Sequence, residues 1–321
     1  MGGRGLVDIN NLRKQQIEGM RIYFMEKSTS SSLHNAVWKE LYASSPTVQH
    51  ISTNCDKLEL WKSKPLHGRH PNEASKDNVD NKASNHWLVA GCLFPETEGF
   101  MIAIQDQVIP TRNYLKAILR DTGVVSDSCR YGCNAIETIQ HITSGCTCLA
   151  GTEYIDRHNS VVKMLHQQLA LMHCLISSTQ SVPYYKYEPE PVLENSEFRL
   201  YWDRTILTDR NVPANRPDIM LMDKQRRMVW LVDVAIPNNN NLSAKHHEKI
   251  NKYSTLIDPI KRQWNVNTVK IVPIIISSTG LIPKLLHDSL REIKMPEYIW
   301  KQMQKAVVIA TTHIVRKFMG N

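Results

Sequence analysis

The sequence predicts a mixed α+β protein, in which a mostly helical region and a small metal-binding segment precede a domain built on a β-sheet. Residues 156–172 carry apolar side chains at helical spacing. Residues 218–223 and 228–236 are apolar runs on either side of a polar turn, and a helical pattern and another apolar run follow them. The expected order is therefore strand, strand, helix, strand. We expect three domains, over residues 1–120 (mostly helical), 121–175 (the metal-binding segment and a helix) and 176–321 (the sheet).

The composition is that of a globular protein, because 42% of the residues are hydrophobic and 22% are charged. No run of about 18 apolar residues occurs, so no membrane-spanning segment is expected. Residues 1–16 lack the apolar stretch of a secretory signal, which favours an intracellular protein. Seven cysteines, three of them within 129–146, indicate a reducing compartment and a bound metal rather than disulfides.

The positive charge lies in the C-terminal part of the chain. Residues 1–200 carry 20 basic and 21 acidic side chains, whereas residues 201–321 carry 19 basic and 10 acidic ones. A basic domain attracts polyanions, and a nucleic-acid backbone is the commonest of them. A basic surface that only keeps the protein soluble is the alternative.

The first 120 residues show local patterns but no recognisable chemistry. Helices are predicted over 6–28 and 33–42 from the spacing of their apolar residues. The polar stretch 62–85 contains two prolines and is predicted to be a loop. Residues 95–99 are predicted to form a turn, and residues 112–120 a helix.

A group of metal-binding residue types occurs in the pattern C-x3-C-x7-H-x4-C, formed by Cys129, Cys133, His141 and Cys146. A structural zinc site takes four such ligands in a tetrahedron. We therefore predict a zinc knuckle that metal binding folds, since the segment has little core of its own. Cys148 is an alternative fourth ligand. The other interpretation is a set of buried cysteines and a surface histidine without metal.

The amphipathic helix predicted over 156–172 begins with Arg157 and His158. Two interpretations stay open for these residues. They contact nucleic-acid phosphates, or they are ordinary polar residues at the start of a helix.

Two carboxylates mark the predicted hairpin. Asp218 begins the first strand, and Asp233 interrupts the second, which is otherwise almost wholly apolar. A buried aspartate is costly unless it is paired or binds a metal. Because neighbouring strands bring both carboxylates towards one point, we predict a site for a hard divalent cation, Mg²⁺ or Mn²⁺. Chance occurrence of the two aspartates is the alternative.

A helix is predicted over 243–257, with Ser243 as its N-cap. Lys249, Lys252 and Tyr253 lie on one face of it, at positions i, i+3 and i+4. A lysine beside a metal-bound water can orient that water and stabilise charge on a phosphate. This arrangement of carboxylates and lysine is typical of nucleases.

The chain ends with a predicted strand and two helices. Residues 269–277 are mostly apolar and indicate the strand, and 282–290 and 297–318 indicate the helices. We expect the helices to pack on the sheet.

Together these motifs resemble the C-terminal region of polyproteins from site-specific non-LTR (LINE-like) retrotransposons, a reverse transcriptase family. That family places a CCHC zinc knuckle after the polymerase, then an RH(N/D) element and a restriction-like endonuclease. The resemblance covers nearly the full chain, including stretches such as LYWDRTILTD and DVAIPNNNNL. The matching residues are Cys129, Cys133, His141 and Cys146, then Arg157-His158-Asn159, Arg216-Pro217-Asp218-Ile219, Asp233 and Lys249-x-x-Lys252-Tyr253.

The resemblance implies a restriction-endonuclease-like PD-(D/E)XK domain with the order αβββαβ. It implies an endonuclease that nicks target DNA, whose 3′-OH then primes reverse transcription. Asp218 and Asp233 would be metal ligands, Lys249 the catalytic lysine, and Lys252 and Tyr253 supporting residues. Target DNA is the expected partner, with the element's RNA as a second one, and the nucleus is the expected location.

Two further implications concern the N-terminal parts. The first 120 residues would be a thumb-like or linker region. The zinc knuckle, with Arg157 and His158, would help to bind DNA or RNA.

The sequence departs from the family's pattern in three places. The paired aspartates of the polymerase motif do not occur, so this chain is not expected to copy RNA. The knuckle has three residues, rather than the commoner two, between its first cysteines. Ala235 stands where the second carboxylate motif usually has lysine, and we expect Lys249 on the following helix to replace it.

Alternatives stay open for the function as a whole. The chain is a metal-dependent endonuclease, a module that binds nucleic acid without cutting it, or a truncated or domesticated copy that folds poorly. Another carboxylate, such as Glu194 or Glu197, is a further possible metal ligand.

Overall fold

The structure is a computed structural model that describes residues 9–42, 59–209 and 212–320. Contacts divide the chain into two compact units, Met1–Lys62 and Ser63–Asn321. The cysteine-rich segment and the sheet both belong to the second unit. Among the described residues, no helix combines the length and apolar character needed to cross a membrane.

The described residues of the first unit include the helices α1 (Ile9–Lys27) and α2 (Ser32–Leu41), and residues 59–62 are also helical. Ser31 caps α2, because its hydroxyl accepts a hydrogen bond from the His34 amide. Both predicted helices are confirmed over their described residues.

The second unit begins with short helices, where the sequence predicted a loop over 62–85. They are α3 (Arg69–Ala74), α4 (Asn81–Ser84), α5 (His86–Ala90), α6 (Pro95–Gln105) and α7 (Arg112–Tyr114), which a π-helical turn over Leu115–Leu119 extends. The loop prediction was wrong because a distant residue orders this region. The buried Gln304 amide donates to the Ala83 and Ser84 carbonyls at 2.9 and 3.1 Å.

The predicted turn at 95–99 was also wrong, because these residues begin α6. Pro95 occupies the first helical position, where its fixed φ and missing N–H cost nothing. Glu96 and Glu98 lie in the first turn, where negative charges interact favourably with the helix dipole. The helix predicted over 112–120 is confirmed as a helical segment that ends at Leu119.

The middle of the chain holds a π-helical turn (His141–Gly145), α8 (Thr147–Ala150) and α9 (Glu153–Met172). Helix α9 confirms the amphipathic helix predicted over 156–172. Its apolar face includes Val161, Leu165 and Leu169, which are fully buried.

A five-stranded mixed sheet follows, in the order β1-β2-β3-β4-β5. The strands are β1 (Val192–Glu194), β2 (Phe198–Trp202), β3 (Ile219–Asp223), β4 (Met228–Ala235) and β5 (Thr268–Ile275). Strands β1 to β4 pair antiparallel, and β5 pairs parallel with β4. The predicted hairpin and the last strand are confirmed, and four strands, rather than three, precede the helix.

Helices cover both faces of the sheet. On one face, Val161 and Leu165 of α9 pack in the same hydrophobic cluster as Val232 and Val234 of β4. On the other face lie α10 (Leu242–Ser254) and α11 (Ile257–Gln263). Ser243 is not an N-cap as predicted, because α10 begins at Leu242 and the Ser243 hydroxyl accepts from Asn78 at 2.7 Å.

Two helices close the chain, α12 (Lys284–Glu292) and α13 (Ile299–Gly320), and both were predicted. The first half of α13 packs in the core of the sheet through Met303 and Val307. Its second half packs against the cysteine-rich segment through Val315 and Phe318. One helix therefore connects the core of the sheet to that of the cysteine-rich segment.

Candidate metal and carboxylate sites

A tight turn brings the first two cysteines of the knuckle together. Gly132 adopts φ +80°, and its amide donates to the Cys129 carbonyl at 3.0 Å. A side chain is disfavoured in this left-handed conformation, which explains glycine here. The Cys129 amide donates to the Ala135 carbonyl at 2.8 Å, so the turn folds back on itself.

The four predicted ligands converge. The Cys129, Cys133, His141 and Cys146 ligand atoms all lie within 4.8 Å of one another. The Cys146 sulfur lies 3.9 Å from that of Cys129 and 3.9 Å from that of Cys133. Tetrahedral zinc with Zn–S bonds of about 2.3 Å separates its sulfurs by about 3.8 Å. The donor set and its spacing therefore fit a structural Zn²⁺ with four protein ligands.

The pKa values of Cys146 and His141 are also consistent with a bound cation. Burial raises the pKa of the Cys146 thiol to about 12, so a thiolate at this position needs a compensating positive charge. Burial lowers the pKa of His141, which favours the neutral imidazole that metals bind. Cys148, the alternative ligand, is exposed and donates to the Tyr131 carbonyl at 3.3 Å instead.

A buried ion pair holds the knuckle. Glu137 has no exposed surface and accepts hydrogen bonds from the Arg130 side chain at 2.8 and 3.1 Å. Its carboxylate also accepts from the Arg112 and Arg130 amides, both at 2.9 Å. Burial alone would raise the pKa of Glu137, but these donors outweigh it and lower the pKa.

Tyr154 ties the other half of the knuckle to α9. Its hydroxyl lies 2.7 Å from the Ile142 carbonyl and 3.0 Å from that of His141, and it accepts from the Cys146 amide at 3.1 Å. The ligands His141 and Cys146 are thus joined to the first turn of the helix that carries His158.

The sheet places the two predicted carboxylates opposite each other. Ile219 of β3 pairs with Val232 of β4. Asp218, directly before β3, therefore faces Asp233 of β4. Side chains that face across antiparallel strands share one side of the sheet. Here it is the side that α10 covers.

Asp233 is buried and lies among the three residues predicted on α10. The Lys249 ammonium forms an ion pair with it, and the Tyr253 hydroxyl donates to it. The Lys252 ammonium lies 3.5 Å from Asp233 and 2.8 Å from the Tyr253 hydroxyl. Burial raises the pKa of Tyr253, and the charges of Asp233, Asp218 and Asp203 add to this.

Asp218 is anchored through one of its oxygens. Its Oδ2 accepts from the Val234 amide at 2.6 Å and lies 3.1 Å from the His158 Nε2. Burial alone would lower the pKa of His158, but the hydrogen bond and charge of Asp218 outweigh this and raise it. Within the described parts of the chain, Asp218 Oδ1 accepts no hydrogen bond, so it is open to a ligand.

Arg157 does not have the position expected of a residue that contacts nucleic acid. It is 2% exposed, donates to the Thr311 hydroxyl at 2.9 Å and lies 5.1 Å from the centre of the Tyr154 ring. A guanidinium buried between α9 and α13 does not reach a phosphate. The structure supports the alternative, a polar residue that holds the start of the helix.

From the sequence, no role was assigned to two residues that lie beside the carboxylates. Asp203, directly after β2, faces Asp218, because Trp202 pairs with Ile219. Arg216 forms a two-pronged ion pair with Asp203. The alternative ligand Glu194 instead pairs with Arg199 and Lys224, and the register places it at the far end of the strands. The aspartate that ends the stretch LYWD was the available signal.

Comparison with known proteins adds no identification. Neither a scan against protein-family models nor a search of the curated proteins finds a match for this chain.

Proposed function

We propose that this chain is a metal-dependent DNA endonuclease with a PD-(D/E)XK-type domain, derived from a non-LTR retrotransposon. One observation carries the proposal. Asp218 and Asp233 face each other across neighbouring strands, and the Lys249 ammonium pairs with Asp233. Two carboxylates and a lysine at one point are the groups that metal-assisted phosphodiester hydrolysis requires.

The donor set fits Mg²⁺ or Mn²⁺. Carboxylate oxygens are the ligands these hard cations prefer, and Asp218 lies at the edge of the site with 19% of its side chain exposed. A bound divalent cation would supply Lewis-acid polarisation of a phosphate oxygen and a water of lowered pKa.

The residues of the chain have distinct roles in this proposal. The Val234 amide and His158 orient Asp218, whereas Tyr253 and Lys252 orient Asp233. The Lys249 ammonium has three donors, so it can pair with Asp233 and still donate to a water or a phosphate oxygen. Its side chain is 15% exposed, which favours strong electrostatic interaction in a site with little water.

The partners follow from charge and from the resemblance. The basic excess of residues 201–321 suits a polyanion, and target DNA is the proposed substrate. The knuckle, loaded with structural zinc, would help to bind this DNA or the element's RNA. A nuclear location follows from the DNA target.

The test is nicking of supercoiled plasmid by the purified full chain, with Mg²⁺, Mn²⁺ or EDTA. We expect nicking that requires the divalent cation and is lost in Asp218→Asn and Lys249→Met. Lys245→Met is the matched control, because Lys245 lies on the same helix and, of the residues that the structure describes, pairs only with Glu248. The control should nick like the wild type.

The opposite result defines the second candidate function. A folded, zinc-loaded chain that binds DNA but does not nick it with either cation is a non-catalytic nucleic-acid-binding remnant. That outcome overturns the endonuclease.

A further inference from the structure

An arginine forms a two-pronged ion pair beside the two carboxylates. Arg216 donates through Nε to Asp203 Oδ1 at 2.7 Å and through Nη2 to Oδ2 at 2.6 Å. Its Nε also lies 3.2 Å from the Asp203 carbonyl. Two parallel hydrogen bonds fix the plane of a guanidinium as well as its position.

This pair belongs to the same corner of the sheet as the proposed metal ligands. The β2–β3 register places Asp203 opposite Asp218, and the β3–β4 register places Asp218 opposite Asp233. The Asp203 amide also donates to the Asp218 carbonyl at 2.8 Å, so the three aspartates belong to neighbouring segments at this corner. The Arg216 carbonyl lies 3.0 Å from the Tyr253 hydroxyl, which itself contacts Asp233.

The outer edge of the guanidinium is available. Asp203 engages only Nε and one N–H of Nη2, and no acceptor for Nη1 occurs among the residues that the structure describes. The side chain is 59% exposed. An exposed ion pair contributes little to stability, so the pair is better explained by the orientation it imposes.

We infer that Arg216 binds a phosphate of the nucleic-acid backbone at the carboxylate site, and that Asp203 is the positioning residue that aims it. Three N–H donors stay free, and the two on the Nη1–Nη2 edge match two oxygens of a phosphodiester. The inference rests on the proposed function, because it takes DNA as the substrate. It differs from the other role open to Asp203, a third metal ligand.

The experiment measures DNA binding in EDTA, where neither nicking nor the divalent cation contributes. Fluorescence anisotropy with a labelled duplex gives the Kd over a series of salt concentrations. We expect Arg216→Gln to weaken binding about tenfold, and to reduce the slope of log K against log salt by about 1. Asp203→Asn should weaken DNA binding less than Arg216→Gln. In that variant the Arg216 guanidinium keeps its charge and loses only the carboxylate that orients it.

Arg291→Gln is the matched control, because Arg291 is also exposed and pairs with Asp288 at 2.6 Å. It should bind like the wild type. A second measurement, Mn²⁺ affinity without DNA by electron paramagnetic resonance, should be the same for the wild type, Arg216→Gln and Asp203→Asn. Circular dichroism confirms that each variant is folded.

Two results overturn the inference. If Arg216→Gln binds DNA with the same affinity and the same salt slope as the wild type, the phosphate contact is excluded. A loss of Mn²⁺ affinity in Asp203→Asn makes Asp203 a metal ligand instead. The failure of the endonuclease proposal is distinguishable, because a wild type that does not nick can still show the Arg216 effect on binding.

Discussion

The buried Glu137 carboxylate is expected to be a major determinant of the stability of the knuckle. It accepts from four N–H groups, which are the Arg112 amide and three donors of Arg130. In Glu137→Gln, the side-chain amide has one acceptor oxygen and turns an N–H₂ group towards the remaining donors. At least two donors then lose their acceptor.

The cost can be worked out from these contacts. Each buried donor left without an acceptor costs about 1–3 kcal/mol. Breaking a buried ion pair by removing one partner costs about 3–5 kcal/mol. Because the Arg130 side chain is 18% exposed and regains some hydration, we expect the lower end, about 3 kcal/mol.

The assay is urea unfolding of the zinc-saturated full chain, monitored by tryptophan fluorescence. Glu188→Gln is the matched control, because Glu188 is 82% exposed and pairs with Lys163 at 2.8 Å. The control should change the free energy of unfolding by less than about 0.5 kcal/mol. If Glu137→Gln costs no more than this control, the reasoning about the buried acceptor is wrong.

The effect should also depend on pH. A carboxyl whose folded pKa is lowered contributes its stability above its ordinary pKa of 4.5, and loses it as pH falls through the folded value. The difference in unfolding free energy between the wild type and Glu137→Gln should therefore be full at pH 7 and shrink in acid. A difference that grows as pH falls would contradict the assignment.

Three further predictions concern the two sites. Cys146→Ser should weaken zinc binding by about 100-fold, measured by competition with a chromophoric chelator. Cys148→Ser should leave the zinc affinity unchanged. Equal losses of affinity in the two variants would contradict the proposed set of ligands. Because the pKa of His158 is raised above 6.5, its protonated form stabilises the fold below pH 6.5, so the Tm loss in His158→Gln should be larger at pH 6 than at pH 9. Tyr253→Phe should lower the free energy of unfolding by about 1–2 kcal/mol, because the buried Asp233 Oδ1 loses the hydroxyl that donates to it, while the exposed Tyr298→Phe should have no measurable effect.

The sequence by itself predicted those features that depend on residues close together in the chain. The spacing of four ligands within 129–146 indicated the cysteine cluster, because a tight turn and a short helical turn bring such neighbours together. The helical spacing of 156–172 predicted α9, and two apolar runs around a polar turn predicted the β3–β4 hairpin. The hairpin in turn placed Asp218 opposite Asp233.

Features that depend on distant contacts could be found only in the folded chain. Gln304 orders residues near 83, which looked like a loop because no local pattern reveals a hydrogen-bond partner more than 200 residues away. From the sequence, a phosphate contact and an ordinary polar role were both open for Arg157, and its burial against α13 decides for the second. Asp203 comes next to Asp218 through the pairing of β2 with β3, which no local sequence pattern reveals. Local patterns specify elements, whereas burial and register are properties of the assembled core, and they select which of the many charged residues meet at one site.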